Sequence, residues 1–235
     1  VLRLVAMQRS GAHAGLLAER RDSEPQSRYL LTVCLRRLAT SIAAVDEQAS
    51  IASLRGLEGA GAAAYFEGFA DLLPARLKFS GRNRRPPRDP VNALLSLGYT
   101  LLHAEAVLAL YGAGLDPFIG FYHALDFGRE SLACDLVEPL RVEVDRHALM
   151  LFRSEKLRPE DFSTTASGCL LGKAGRARFY GEWEPLAARL RKLLAESVAD
   201  VAGAIMQAGG VAAPCSPAGD DAAAEEPGTE ADDGC

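Results

Sequence analysis

No spacing of cysteines for chemistry is found in this chain: Cys34, Cys134, Cys169, Cys215 and Cys235 form no CxxC pair and no regular interval. That excludes a zinc knuckle and a secreted disulfide framework, and a reducing cytoplasm is the compartment that fits. No uninterrupted apolar run reaches the roughly 18 residues that a membrane span needs, so a soluble protein with no membrane partner is expected. No stretch alternates apolar and polar residues between hairpin turns, which argues against a sheet. Sequence repeats are absent as well. Acids are missing from Arg76 to Arg88, and bases are missing after position 213. The chain opens on Val1 rather than Met, so a preceding segment is expected.

What remains is a chain of 235 residues, 49% of them apolar, enough for one substantial core. The formal net charge of −5 is unevenly distributed. Asp220, Asp221, Glu225, Glu226, Glu230, Asp232 and Asp233 supply seven negative charges at the end, so removing them from −5 leaves residues 1 to 213 at +2. The body is therefore mildly basic. The acidic segment has no large apolar residue after Val211 and is expected as a disordered tail over 214–235, solubilising or, as the alternative, regulating access of DNA. Residues 1–25 are expected as an N-terminal remnant or linker, and 26–213 as one helical domain.

Helical periodicity dominates that domain, and its fold class is all-α. Tyr29 to Ala52 and Ala62 to Leu73 carry apolar residues at helical spacing, with Tyr65, Phe66, Phe69, Leu72 and Leu73 forming a core stripe. Between them, Gly56, Gly59 and Gly61 interrupt the pattern, each at about 1 kcal/mol, and suggest a close backbone or helix approach. Arg76, Lys78, Arg82, Arg84, Arg85 and Arg88 crowd a loop around Gly81 and Pro86-Pro87. Asp89-Pro90 is a helix opening, an N-cap followed by proline at the first helical position. A further helix from Glu130 to about Val144 should kink at Pro139, and a long one runs from about Glu184 to Met206.

Asp135 and Glu138 are spaced i, i+3, which puts two carboxylates on one side of a helix whose other positions are mostly apolar. Carboxylates held in such a helix need a positive partner. A hard divalent cation is one solution, and an ion pair with Arg141 is the other. His123 closes the aromatic segment Gly120 to His123, where an isolated His is ordinarily a core residue. His103 with Glu105 lacks the Pro-Cys-x-x-Cys partner of a zinc deaminase, and Glu143 with His147 lacks the second motif of a di-iron bundle.

Four segments together are more specific than any of these features. They are Leu54 to Gly59 (LRGLEG), Phe79 to Ser96 (FSGRNRRPPRDPVNALLS), Gly114 to His123, and Ser131 to Glu138 (SLACDLVE). In order and spacing they resemble the integrase subunit of CRISPR adaptation over roughly residues 50 to 165. The resemblance implies a metal-dependent DNA endonuclease and integrase that adds spacers to a CRISPR array by phosphodiester cleavage and transesterification. It implies Mg²⁺ or Mn²⁺ held by Glu58, His123 and Glu138, with Asp135 a supporting acid. It implies DNA as partner, contacted by Arg76, Lys78, Arg82, Arg84, Arg85, Arg88 and Asn92, although those arginines could equally pair with acids elsewhere in the fold. It further implies a small ferredoxin-like companion protein and a homodimer in the complete protein. Members of the family carry an N-terminal β-rich domain that residues 1 to 25 are too few to supply. The alternative reading is accordingly a non-catalytic helical DNA-binding or assembly module that needs a missing domain or partner.

Overall fold

The computed structural model describes residues 2–45, 51–83, 85–123, 125–166 and 168–209. The acidic tail and Arg84 lie outside them. Among the described residues seven α-helices carry the fold: α1 (Leu2–Ser23), α2 (Arg28–Val45), α3 (Ile51–Asp71), α4 (Pro90–Gly112), α5 (Ser131–Val137), α6 (Arg141–Arg153) and α7 (Lys173–Gly209). One short antiparallel hairpin interrupts them, β1 (Phe162–Thr165) with β2 (Gly168–Leu171), in a register pairing Phe162 with Leu171 and Thr165 with Gly168. The helical class is as expected, and the hairpin is an addition to it. Its glycine-rich approach masks the alternation, and only Cys169 among its apolar residues is fully buried.

The first three helices form one layer. Most of the segment expected as a remnant or linker, Leu2–Ser23, forms helix α1, and Leu16 and Leu17 are fully buried in the core. The polar and small residues of this segment hide its periodicity, and packing supplies the stability that propensity does not. Along α1 and α3, Ser10 faces Gly61, the His13 ring stacks on Tyr65 at 3.8 Å, and Leu17 faces Gly68, so the two helices run parallel. Helix α2 runs the other way, with Leu38 opposite Gly61 and Leu31 and Cys34 opposite Gly68.

Gly61, Ala64 and Gly68 make a small-residue stripe on α3, and a Cβ on Gly68 would lie 3.1 Å from Leu17 Cδ1. The glycine cluster therefore does not break the helix as the sequence pattern suggests. Gly61 mediates the close approach, whereas Gly56 and Gly59 face open space and the helix runs through them.

The second layer surrounds α4. Asp89 caps its first turn by accepting a hydrogen bond from the Asn92 amide at 2.8 Å. By length and composition α4 could cross a membrane, with a mean hydropathy of 1.6 over 18 residues. This corrects the expectation that no run is long enough, because isolated polar residues such as Ser96 and Glu105 do not outweigh their apolar neighbours. Here Val91, Leu94, Leu95, Gly98, Leu102, Ala106 and Leu110 form one buried stripe in the protein core. Pro139 ends α5 as expected, through a short 3-10 turn, Glu138–Leu140, from which α6 departs. That turn packs on α1. Helix α7 begins at Lys173, eleven residues before the sequence pattern implies, and carries Pro185 within it.

Gly98 is where α4 meets α6 and α7: a Cβ there would lie 2.5 Å from Val144 Cγ1 and 3.4 Å from the Trp183 ring. Val144 is β-branched and cannot swing aside cheaply. Gly98→Val is expected to cost about 1–3 kcal/mol by overpacking, lowering the Tm by roughly 2–12 °C in thermal denaturation. An unchanged Tm would mean that the three helices do not pack as described.

Candidate functional site

The turn between α5 and α6 holds Glu138, 4% exposed, against α1. Its Oε1 is 3.0 Å from Arg141 Nε, and its Oε2 is 2.9 Å from Arg9 Nη1. The same Arg9 nitrogen also pairs with Glu58 of α3. Glu58 and Glu138, 80 positions apart, thus bring carboxylate oxygens to one point. Burial raises the Glu138 carboxyl, but the charges of Arg141 and Arg9, the Arg141 hydrogen bond and the His123 ring outweigh it, and the net shift is downward. Glu138 is held ionised. The remaining Glu58 oxygen, Oε2, accepts from the Tyr122 hydroxyl at 2.6 Å. Burial, and then donation to Glu58, raises the Tyr122 phenol, so it stays a donor.

Between these sits the loop that carries His123. Asp135, fully inside α5, accepts from three successive backbone amides: Phe121 at 2.7 Å, Tyr122 at 2.9 Å and His123 at 2.9 Å. Its Oδ1 also bonds His123 Nδ1 at 2.6 Å. Burial would raise this carboxyl, but those bonds more than compensate and lower it. Because the ionised carboxylate can only accept, Nδ1 is the donor of this bond, and in the neutral ring that places the lone pair on Nε2. Asp135 therefore orients the ring rather than facing the carboxylate pair. Gly120 is required beside it, since a Cβ would fall 2.7 Å from Ser131 Cβ and 2.9 Å from Asp135 Oδ2.

The chain matches the family model "CRISPR associated protein Cas1" over residues 5–185. The chain belongs to the Cas1 family. It is 53% identical over 137 residues to the CRISPR-associated endonuclease Cas1 1 of Thermodesulfovibrio yellowstonii, which covers 57% of this chain and 43% of that relative. A solved Cas1 protein from Thermotoga maritima superposes with a TM-score of 0.75 at 25% identity, over 87% of this chain and 64% of its own. A chain of a partial Cas6-RT-Cas1–Cas2 complex gives 0.77 at 28% identity, over 88% and 66%. The chain spans less than half the length of the Thermodesulfovibrio relative.

Of the residues that the family resemblance marks, the fold brings together Glu58, Glu138, His123 and Asp135. Arg9, absent from that set, bridges Glu58 and Glu138. Its position in a segment with little helical signal hid it. The Arg141 pairing is the ion-pair solution that the Asp135 and Glu138 spacing left open. The basic loop is less uniform than expected. Arg76 pairs with Glu155 at 2.7 Å, on another side of the fold. Lys78 is a left-handed cap, φ 54°, while Arg85 and Arg88 are exposed.

Arg82 turns inward and donates to Asn92 Oδ1 at 2.8 Å and Ser96 Oγ at 3.0 Å. Asn92, expected at the DNA, is instead 1% exposed. Its amide bonds the Gly81 carbonyl at 2.9 Å and Asp89 Oδ2 at 2.7 Å, and its oxygen takes the Asn83 amide at 2.8 Å. It shapes the basic loop and is too buried to reach a phosphate.

Beneath Arg141 lies a second buried acid. Asp145 accepts from Tyr65 at 2.8 Å and from Tyr99, and Arg141 stacks over the Tyr99 ring at 4.6 Å. Burial raises Asp145 to about 6, against the hydrogen bonds of both tyrosines. A folded-state value above the ordinary 3.8 means that the native state binds more protons than the unfolded chain between about pH 4 and 6. Stability from this group is present below that window and is lost as pH rises through it. Asp145→Asn removes the titration. Its Tm relative to the parent should rise between pH 4.5 and 7, by the equivalent of on the order of 2 kcal/mol. A Tm difference that is the same at both pH values would refute the assignment.

Proposed function

We propose that this chain is the helical catalytic region of a divalent-metal-dependent DNA endonuclease and integrase acting in CRISPR spacer acquisition. One observation carries the reading: carboxylates from α3 and from the α5–α6 turn reach a single cationic nitrogen next to the loop whose His123 ring is oriented by Asp135. The donor set fits a metal. Glu138 Oε2 is buried without a well-directed hydrogen bond, and two carboxylates with an imidazole suit Mg²⁺ or Mn²⁺. Glu58, Glu138 and His123 would hold the ion in the place of the Arg9 guanidinium. When bound, it would supply Lewis-acid polarisation of a phosphoryl oxygen and a template for the attacking group.

The chain's own residues perform the remaining work. Asp135 holds the His123 tautomer and ring plane. Tyr122 fixes one oxygen of Glu58. Arg141, braced on Tyr99, keeps Glu138 ionised and places positive charge next to the phosphate position, where it stabilises charge on the equatorial oxygens. Water as nucleophile gives cleavage, and a DNA 3′-hydroxyl gives strand joining. The basic loop supplies sequence-independent phosphate contact. The relative solved in a Cas1–Cas2 complex supports a small companion protein as partner here too.

The test is Mn²⁺-dependent cleavage and strand joining on branched DNA. Glu58→Gln, Glu138→Gln and His123→Ala are each expected to lower the rate by about 10²–10³, and Asp135→Asn by about 10–100 through the loss of ring orientation. Circular dichroism should stay helical in all four. Turnover unaffected by the first three would sink the site, and a parent chain that binds DNA without turnover would favour the assembly module.

A further inference from the structure

Asp145 is fully buried, and both of its oxygens are taken by phenols. Tyr65 of α3 donates to Oδ2 at 2.8 Å, and Tyr99 of α4 donates to Oδ1. His13 of α1, stacked on Tyr65, stands 3.9 Å from Oδ2, and burial keeps its ring neutral. Such a group is a cost to the fold. At neutral pH the acid, raised to about 6, is held ionised against its own desolvation. An apolar side chain of similar size would fill the same space without that cost. The acid therefore points to a use outside packing.

The two phenols lead to different places. Tyr65 lies wholly in the core, its ring against His13, Phe66 and Phe69. Tyr99 leads to the site: the Arg141 guanidinium lies over its ring at 4.6 Å, and Arg141 Nε is 3.0 Å from Glu138 Oε1. Arg141 and Asp145 stand i, i+4 on α6 and so share a face, and Tyr99 spans that turn with its hydroxyl on the acid and its ring on the guanidinium. A phenol that donates to an ionised carboxylate is polarised, which makes its ring face more negative and strengthens its hold on a cation. We infer that Asp145 is a positioning residue for the phosphoryl transfer, acting through the Tyr99 ring to hold Arg141 against Glu138. The inference rests on the functional reading above. Sealed in the core, Asp145 meets no DNA itself; it fixes the guanidinium that faces the reaction.

The two phenols separate this role from plain core support. Tyr99→Phe keeps the ring and removes the hydroxyl, and Tyr65→Phe does the same at the other oxygen of the same acid. Hydrogen exchange of the Arg141 Nε–H, followed by NMR on the full chain with nitrogen-labelled arginine and neither metal nor DNA, reads the hold on the guanidinium. The single-turnover rate with Mn²⁺ at saturating branched DNA reads its consequence for the reaction, apart from binding. Tyr99→Phe and Asp145→Asn should each speed the exchange about tenfold and lower the rate about tenfold. Their Kd for DNA in EDTA should stay within about twofold of the parent. Tyr65→Phe should leave both exchange and rate within about twofold, although it removes an equivalent bond. Equal effects of the two Phe variants, or parent-like exchange and rate in Tyr99→Phe and Asp145→Asn, overturn the inference. A parent chain without turnover overturns the functional reading, and the exchange difference then decides the hold on Arg141 by itself.

Discussion

Two carboxylates held within reach of one nitrogen repel each other, and the buried one, Glu138, would protonate unless cations stood beside it. Arg9 is the one that both acids share in this chain, and much of the molecule follows from placing it. Helix α1 must lie parallel to α3 for Arg9 to reach Glu58, and it must touch the α5–α6 turn for Arg9 to reach Glu138. The first condition is met by Gly61, Ala64 and Gly68, whose missing or minimal side chains let α1 and α2 approach α3. The second is met by Pro139, which ends α5 so that Glu138 sits at a corner rather than along a helix face. Buried ion pairs contribute little net stability because desolvation offsets the attraction. The arrangement is better understood as fixing the geometry of a charged site than as holding the bundle together.

Around this pair the side chains are arranged in depth. Asp135 does not face the cationic point, yet it ties three backbone amides and the His123 ring to α5, converting a loop into a rigid support. Asp145 does the same from the opposite side, through Tyr99 to Arg141. One acid is shifted down and the other up, and the reason is the number and kind of donors: Asp135 has three amides and an imidazole, whereas Asp145 has two phenols in an apolar setting. The two buried acids thus have different protonation behaviour while serving the same structural purpose.

The sequence made the long apolar helices legible, since α4 shows Asp89-Pro90 at its start and a strict apolar stripe, and Pro139 announced its own kink. It made the acids legible too, because Glu58, His123 and Glu138 lie in segments whose order resembles a family. Three things were not legible. Helix α1 lacks a strong amphipathic pattern, so both the helix and Arg9 were missed. The glycines of α3 signal a break by propensity alone, and only packing against α1 and α2 shows why Gly61 is tolerated. The role of Asn92 depends on the path of the basic loop, which local pattern cannot supply: the residue orders and anchors that loop from inside.

Arg9 also touches a second region of the fold. It pairs with both carboxylates through one nitrogen and lines a cavity that Arg82 and Arg141 share. On the proposed reading, a divalent cation seated between Glu58 and Glu138 would take over the compensation that Arg9 provides, and the displaced guanidinium would then need an anion in turn. Without that cation the acids stay neutralised by Arg9, so the charge balance of the site is kept by the chain's own residues.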